Sequence, residues 1–296
     1  VIRLATPVEA VYFMASAEQP VVCGGRAMIR QAVVAGQFYP GSASALEKEV
    51  RRYLSRAPGV RYEPTILAMA PHAGYVYSGE VAGITLGQAN LADTILLLGP
   101  NHTGMGAPLS LWTKGQWLTP MGAMNVDEGL ADALLAADSR LKDDRAAHVQ
   151  EHSLEVMLPF LCTIKGSFTG VPLAVAEHKL SELSGVAKNI SKVLKSWPSP
   201  VSMVVSSDMS HYVSHDRAKE LDSMALSPVL ELDPVGLYST VREMGISMCG
   251  VLPMTLGLMI ALEMGAKKAE LAAYATSGDA SGDYSKVVGY AGVLVS

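Results

Sequence analysis

The chain has 296 residues, 49% of them hydrophobic, and a formal net charge of −5. That much apolar surface excludes global disorder and is enough for one large α/β domain or two small ones. The acidic balance, with no block of five like charges, argues against a nucleic-acid groove and against a polybasic membrane patch. The three cysteines, Cys23, Cys162 and Cys249, are too few for a disulfide framework, so a reducing, cytoplasmic compartment is expected.

Residues 1–27 read as an N-terminal extension rather than a signal peptide. "VYFMASA" has a small-residue site near Ala17, but Pro7 and Glu9 interrupt the apolar stretch, and Val22 is too large for the position before a lipoprotein cysteine. The expected domain is 28–296, opening at Met28. "ALEKEVRRYLSRA" (45–57) predicts an amphipathic helix with Ser42 or Ser44 as its N-cap. "TILAMA" (65–70) and "TILLLG" (94–99) are continuous apolar runs, the pattern of strands buried on both faces. "VDEGLADALLAAD" (126–138) predicts a helix with acids in its first turn. "EHSLEVMLPFLCTI" (151–164) starts as a helix that Pro159 kinks or ends. "VSMVVSS" (201–207) is a third buried strand. "DRAKELDSMALSPVL" (216–230) and "VLPMTLGLMIALEMG" (251–265) are further helices, and "SKVVGYAGVLVS" closes the chain as a strand. The charge-free run 244–262 is long enough for a bilayer, but Pro253, three glycines and the lack of a basic anchor favour a turn and a buried helix. Strands alternating with helices predict an α/β fold: a single domain with a central, largely buried sheet flanked by helices.

Chemistry gathers where the three apolar strands end. "TILAMA" runs into "PHAGYVYSG" and His72, "TILLLG" into "PNHTG" and His102, and "VSMVVSS" into "DMSHY" with Asp208 and His211. Any one of these histidines reads as a loop residue bonded to a carbonyl. Three together, at the ends where open α/β sheets bind ligands, point to a shared site. "AHVQEHSLE" adds His148, Glu151, His152 and Glu155. His148 and His152 are spaced to share a helical face, and His152 is the better active-site neighbour. His178 and His215 read as surface or loop residues. "TSGDASGDYSKVVGY" (276–290) reads as a flexible loop, since no lysine follows at P-loop spacing. No G-x-S-x-G elbow marks a serine hydrolase. Cys249 in "SMCGVLP", taken alone, reads as a small core residue.

The segments "VAGQFYPGS", "APHAGYVYSG", "LLGPNHTG", "EHSLEVMLPFL", "SSDMSHY" and "MCG" stand in the order seen in the Memo family, whose members are also labelled protein B of the AmmeMemoRadiSam system. The chain resembles that family over nearly all of residues 28–296. The resemblance implies a fold similar to class III extradiol dioxygenases, in which two histidines and a carboxylate hold Fe(II). By motif, His72 and His102 match the two histidines and Cys249 falls where the carboxylate would be. Asp208 matches a polar residue of the Memo pocket, and His211 sits where the dioxygenases place an acid/base histidine. The implied metal ligands are therefore His72, His102 and Cys249, with His211, Asp208 and His152 as catalytic candidates. The resemblance makes Fe(II) the first expectation; a thiolate in place of a carboxylate softens the set, so Cu or Zn also suit it.

Three functions fit: a metal-dependent redox or dioxygenase-type enzyme acting on a small substrate, an accessory protein that binds a small-molecule or peptide ligand in the same cleft, and a zinc hydrolase.

Overall fold

The three apolar runs that carry histidines lie side by side. In the computed structural model, which describes residues 28–296, β1 (Ile29–Arg30) is followed by helix α1 (Ala43–Leu54), β2 (Leu67–Ala70), α2 (Tyr75–Gln88) and β3 (Thr94–Pro100). The extension expected over 1–27, with Cys23, lies outside the described residues. Next come β4 (Leu109–Leu111), the hairpin β5 (Gln116–Thr119) and β6 (Gly122–Val126), α3 (Glu128–Ala137), β7 (Lys142–Asp143), α4 (Leu158–Lys165) and β8 (Thr169–Val175). The chain ends with α5 (Leu180–Ser196), β9 (Val201–Ser206), β10 (His211–Val213), α6 (His215–Leu230), α7 (Pro234–Glu243), α8 (Val251–Glu263), β11 (Ala269–Thr276), α9 (Ser277–Ser281) and β12 (Val287–Val295).

These strands form one mixed sheet, with β8, β3, β9 and β2 as its parallel centre. Alternation along the central strands splits the core in two. Leu67, Met69, Leu96, Leu98, Met203 and Val205 face α5, α6 and α8, while Ala68, Ala70, Ile95, Leu97 and Val204 face α1, α2 and α4. Both faces are covered, so these strands carry no polar alternation. The expected single α/β domain with a buried central sheet is what forms, consistent with a dioxygenase-like fold. Because β2, β9 and β3 are parallel neighbours, their C-terminal ends open on the same edge.

Three expectations need correction. Residues 151–154 are not helical: a 3₁₀ turn, Glu155–Met157, leads into α4. Pro159 sits in the first turn of α4, where its missing N–H costs nothing, so it starts the helix rather than kinking it. The segment 276–290 is not simply a loop. Thr276 and Asp279 form a capping box that starts α9. The long charge-free run is a turn plus the 13-residue α8, whose Leu256, Leu258 and Ile260 are fully buried. Among the described residues no helix is long and apolar enough to cross a membrane.

Candidate metal centre

Each strand end aims an imidazole or a carboxylate at one place, and local hydrogen bonds fix the aim. After β3, the Asn101 Oδ1 accepts from Thr103 Oγ1 (2.8 Å) and Gly104 N (3.0 Å) and folds the tight turn that presents His102. After β2, the His72 backbone N–H donates to Asp208 Oδ1 at 2.8 Å, tying the ends of β2 and β9 together. The segment before α4 brings a third imidazole. The rings of His72 and His102 lie 5.2 Å apart, those of His72 and His152 5.5 Å, and those of His102 and His152 stack at 4.9 Å and 16°. One nitrogen from each of these three lies within 4.8 Å of the others.

The hydrogen-bond partners decide which nitrogen is free. Ser206 Oγ donates its proton to the Ser153 carbonyl (2.7 Å), so it accepts from His72 Nδ1–H (2.6 Å). That leaves His72 Nε2 bare of a proton, its lone pair facing Cys249 Sγ at 3.3 Å. Glu151 Oε1 accepts from His102 Nδ1–H at 2.9 Å, which leaves His102 Nε2 bare as well. This arrangement, with one ring nitrogen held by an oxygen and the other open, is how metal-binding histidines are oriented. Glu151 grips the loop further, accepting from the backbone N–H of His102 (2.5 Å) and of Ser153 (3.0 Å). The ring of His152 packs on Phe38 at 4.8 Å.

Burial, reinforced by the neighbouring imidazoles of His102 and His152, holds His72 well below the usual imidazole range, so its ring is neutral. Burial also opposes ionisation of Glu151, but the hydrogen bond and charge of His102 outweigh it and pull the carboxyl down to about 2. For His102, burial favours the neutral ring, yet the Glu151 hydrogen bond and charge outweigh it and raise the pKa. His152 is lowered by burial.

Cys249 also reaches His72. Its Sγ lies 3.3 Å from His72 Nε2 and accepts from the Asp208 backbone N–H at 3.2 Å. It immediately precedes Gly250, the N-cap of α8. A Cβ at Gly250 would lie 2.3 Å from the Ser207 Cβ, so glycine is what allows α8 to start this close to the end of β9. A helix N-terminus favours a thiolate, but burial and the Asp208 charge outweigh it and push the Cys249 thiol up. Asp208 Oδ2 stands 4.0 Å from His72 Nε2, and burial raises its carboxyl. His211 is tied elsewhere: its backbone N–H donates to Ser247 Oγ (2.7 Å) and its Nδ1–H to the Ser247 carbonyl (2.9 Å), leaving its Nε2 open.

The structure thus brings His72, His102 and His152 into one cluster, with Cys249 and Asp208 against it through His72. His211 is held on the Ser247 turn and is not one of the clustered imidazoles. His148 does not belong. It is fully buried, its Nε2 bonded to the Ser110 carbonyl (2.8 Å) and its ring edge-on to Trp112 and Trp117. Burial pulls it down to about 4, so it is a neutral core residue. With 148–152 outside any helix, the spacing to His152 does not give the two rings a common face. Sequence reasoning gave Glu151 and Ser206 no role. The signal for Glu151 was its place next to His152 in the same short run, while a serine inside an apolar strand carried none.

A family model for Memo-like protein matches residues 30–294. A MEMO1 family protein from Methanopyrus kandleri is 39% identical over 279 residues, covering 90% of this chain and 99% of that protein. Those from Sulfurisphaera tokodaii and Methanosarcina acetivorans are each 38% identical, again over 90% of this chain and 99% of theirs. With the match running from β1 to the last strand, the chain belongs to the Memo family.

Proposed function

We propose that this protein binds a transition-metal ion through Nε2 of His72 and of His102, with His152 as the third imidazole and the Cys249 thiol, once deprotonated, as a further donor. The observation that carries this reading is the pair of unprotonated Nε2 atoms, each oriented by an oxygen on its Nδ1, with the Cys249 Sγ already against that of His72. Imidazole with thiolate suits Fe, Cu or Zn, and the likeness to the dioxygenase fold puts Fe(II) first. A bound redox-active metal would supply oxygen or electron-transfer chemistry on a small organic substrate in the cleft.

The chain's own residues supply proton handling. His211 offers Nε2 as a proton acceptor, its ring fixed by the Ser247 carbonyl. Asp208, its carboxyl raised by burial, is suited to hold a proton at Oδ2. On this reading Asp208 beside His72 is the acid and His211 the base. The free thiols Cys162 and Cys249 fit a reducing, cytoplasmic setting.

A second reading rests on the same three imidazoles, which also match the three-histidine set of catalytic zinc sites, with hydrolysis as the chemistry. The test is metal analysis of protein purified without nickel affinity, followed by oxygen-uptake and esterase assays on the iron-loaded and zinc-loaded chain. Iron or copper retained with oxygen-dependent turnover supports the redox reading. Zinc retained with oxygen-independent hydrolysis supports the second. Metal-free protein that cannot be loaded refutes both and leaves an accessory protein that binds a peptide or small molecule in the cleft.

A further inference from the structure

Behind Cys249 lies a cavity of about 470 Å³ that the metal chemistry above does not use. It forms where the turn after α7 meets the start of α8. Its walls are apolar: Val241, Ile246, Met248, Val251 and Leu252 line it, and all but Val251 are buried. Cys249 lines it too, while the same residue's Sγ touches His72 Nε2. One residue therefore separates the imidazole cluster from an open, apolar pocket of the size that small ligands occupy.

The charge of this chamber is one-sided. Arg242 lines it and no carboxylate does. Among the described residues Arg242 forms no ion pair, and its guanidinium makes a single hydrogen bond, from Nη1 to the Tyr238 hydroxyl. Tyr238 in turn donates to the His178 carbonyl, and the guanidinium stands 5.1 Å from the Tyr238 ring centroid. The guanidinium is thus steered by an aromatic neighbour while four of its five N–H donors stay available. A planar fork of donors at an apolar chamber is matched by a carboxylate on an apolar body.

We infer that this cavity binds a small monocarboxylate with an apolar chain or ring, its carboxylate on Arg242 and its body against Ile246, Met248 and Leu252. As a substrate site, next to Cys249, the assignment rests on the metal-centre reading. As an anion site it stands on the cavity alone. The ligand's apolar body replaces water against buried side chains, and its charge finds the one cation on the wall.

The test uses the full chain, once chelated and once metal-loaded, with methyl-labelled Ile, Met, Leu and Val. Phenylbutyrate and hexanoate are titrated against phenylbutyramide and hexyl phosphate, and binding is read from the methyl signals of Ile246, Met248 and Leu252. Carboxylates are expected to shift those signals in both samples, with the amide at least about tenfold weaker, because a charge-assisted hydrogen bond is lost. Arg242→Gln, at an exposed position, should weaken the carboxylates by a similar factor, and Arg242→Lys should retain part of the affinity. Equal binding of acid and amide, indifference to Arg242→Gln, shifts confined to other methyls, or a preference for hexyl phosphate each overturn the inference. Metal titration of the same samples separates the two claims. Carboxylate binding in a chain that takes up no metal supports the anion site and refutes only the metal reading.

Discussion

Glu155→Gln should be among the most damaging single substitutions in this protein. The Glu155 side chain is fully buried and accepts from Arg30 Nη1 (2.7 Å), Tyr39 Oη (2.6 Å), Val33 N (2.9 Å) and Val34 N (3.0 Å). Arg30 is buried with it, packed over Trp117 at 4.2 Å, and donates onward to the carbonyls of His148 (2.8 Å) and Glu151. A glutamine keeps the shape but removes the charge and turns an N–H₂ toward donors. Removing one partner of a buried ion pair costs about 3–5 kcal/mol, because the other charge is left uncompensated. For a domain of this size each kcal/mol moves the melting temperature by roughly 2–4 °C, so a fall of roughly 6–20 °C is expected. Arg30 also steadies the segment that carries Glu151 and His152, and Glu151 in turn holds His102, so metal affinity should drop about 10-fold, as when an outer-shell partner is lost. The assay is urea and thermal unfolding of wild type, Glu155→Gln, Arg30→Met and the double variant. The double variant should lose less than the sum of the two single losses, since neither charge is then stranded. A loss under about 1 kcal/mol in Glu155→Gln, the level of an exposed pair, would refute the reasoning.

Hydrogen bonds from Arg140, against a smaller opposing effect of burial, hold Asp138 well below the usual carboxylate range, with Asn189 Nδ2 adding another at 3.0 Å. A depressed folded pKa gives stability that is present above the unfolded value and lost as pH falls. Asp138→Asn should therefore melt lower than wild type at neutral pH, with the gap closing below about pH 4; a gap that persists unchanged at low pH refutes the ionic origin. Gly83 lies where α2 crosses α1, and a Cβ there would meet the Tyr53 Cβ at 2.5 Å and its backbone carbon at 2.7 Å. Gly83→Ala should cost about 1–3 kcal/mol by urea unfolding, against the gain alanine normally brings to a helix. A chain beginning at Met28 is expected to keep the melting temperature and metal stoichiometry of the full sequence, and a large loss of either would show that residues 1–27 contribute to the fold.

The parts of the fold that rest on local chemistry were legible in the sequence. Thr94–Pro100 and Val201–Ser206 read as buried strands because both of their faces are apolar, and α1 and α3 read as helices from periodicity and first-turn chemistry. Helix α2 was not, because Gly79, Gly83 and Gly87 lower its propensity. Those glycines are there for close approach to Tyr53, Leu54 and Ala57, a tertiary reason that no local pattern reveals. His72 and His102 stood out because each follows a strand directly. His148 and His152 share one short run, and the structure separates them as the ranking of His152 over His148 implied: one is sealed among tryptophans and the other stacks on His102. Their difference is made by the Arg30 and Glu155 network, which joins residues more than a hundred positions apart.

The claim most worth testing is that the bare Nε2 atoms of His72 and His102 hold a metal. Anaerobic Co(II) titration of wild type, His72→Ala, His102→Ala, His152→Ala and Cys249→Ser, followed by visible absorption, reads affinity and ligand type together. His72→Ala and His102→Ala should abolish tight binding, His152→Ala and Cys249→Ser should each weaken it by about 10-fold or more, and the wild-type spectrum should carry a thiolate band that Cys249→Ser removes. An unchanged affinity in Cys249→Ser would take the thiol out of the set and leave three imidazoles. Wild-type affinity in His72→Ala or His102→Ala would contradict the account.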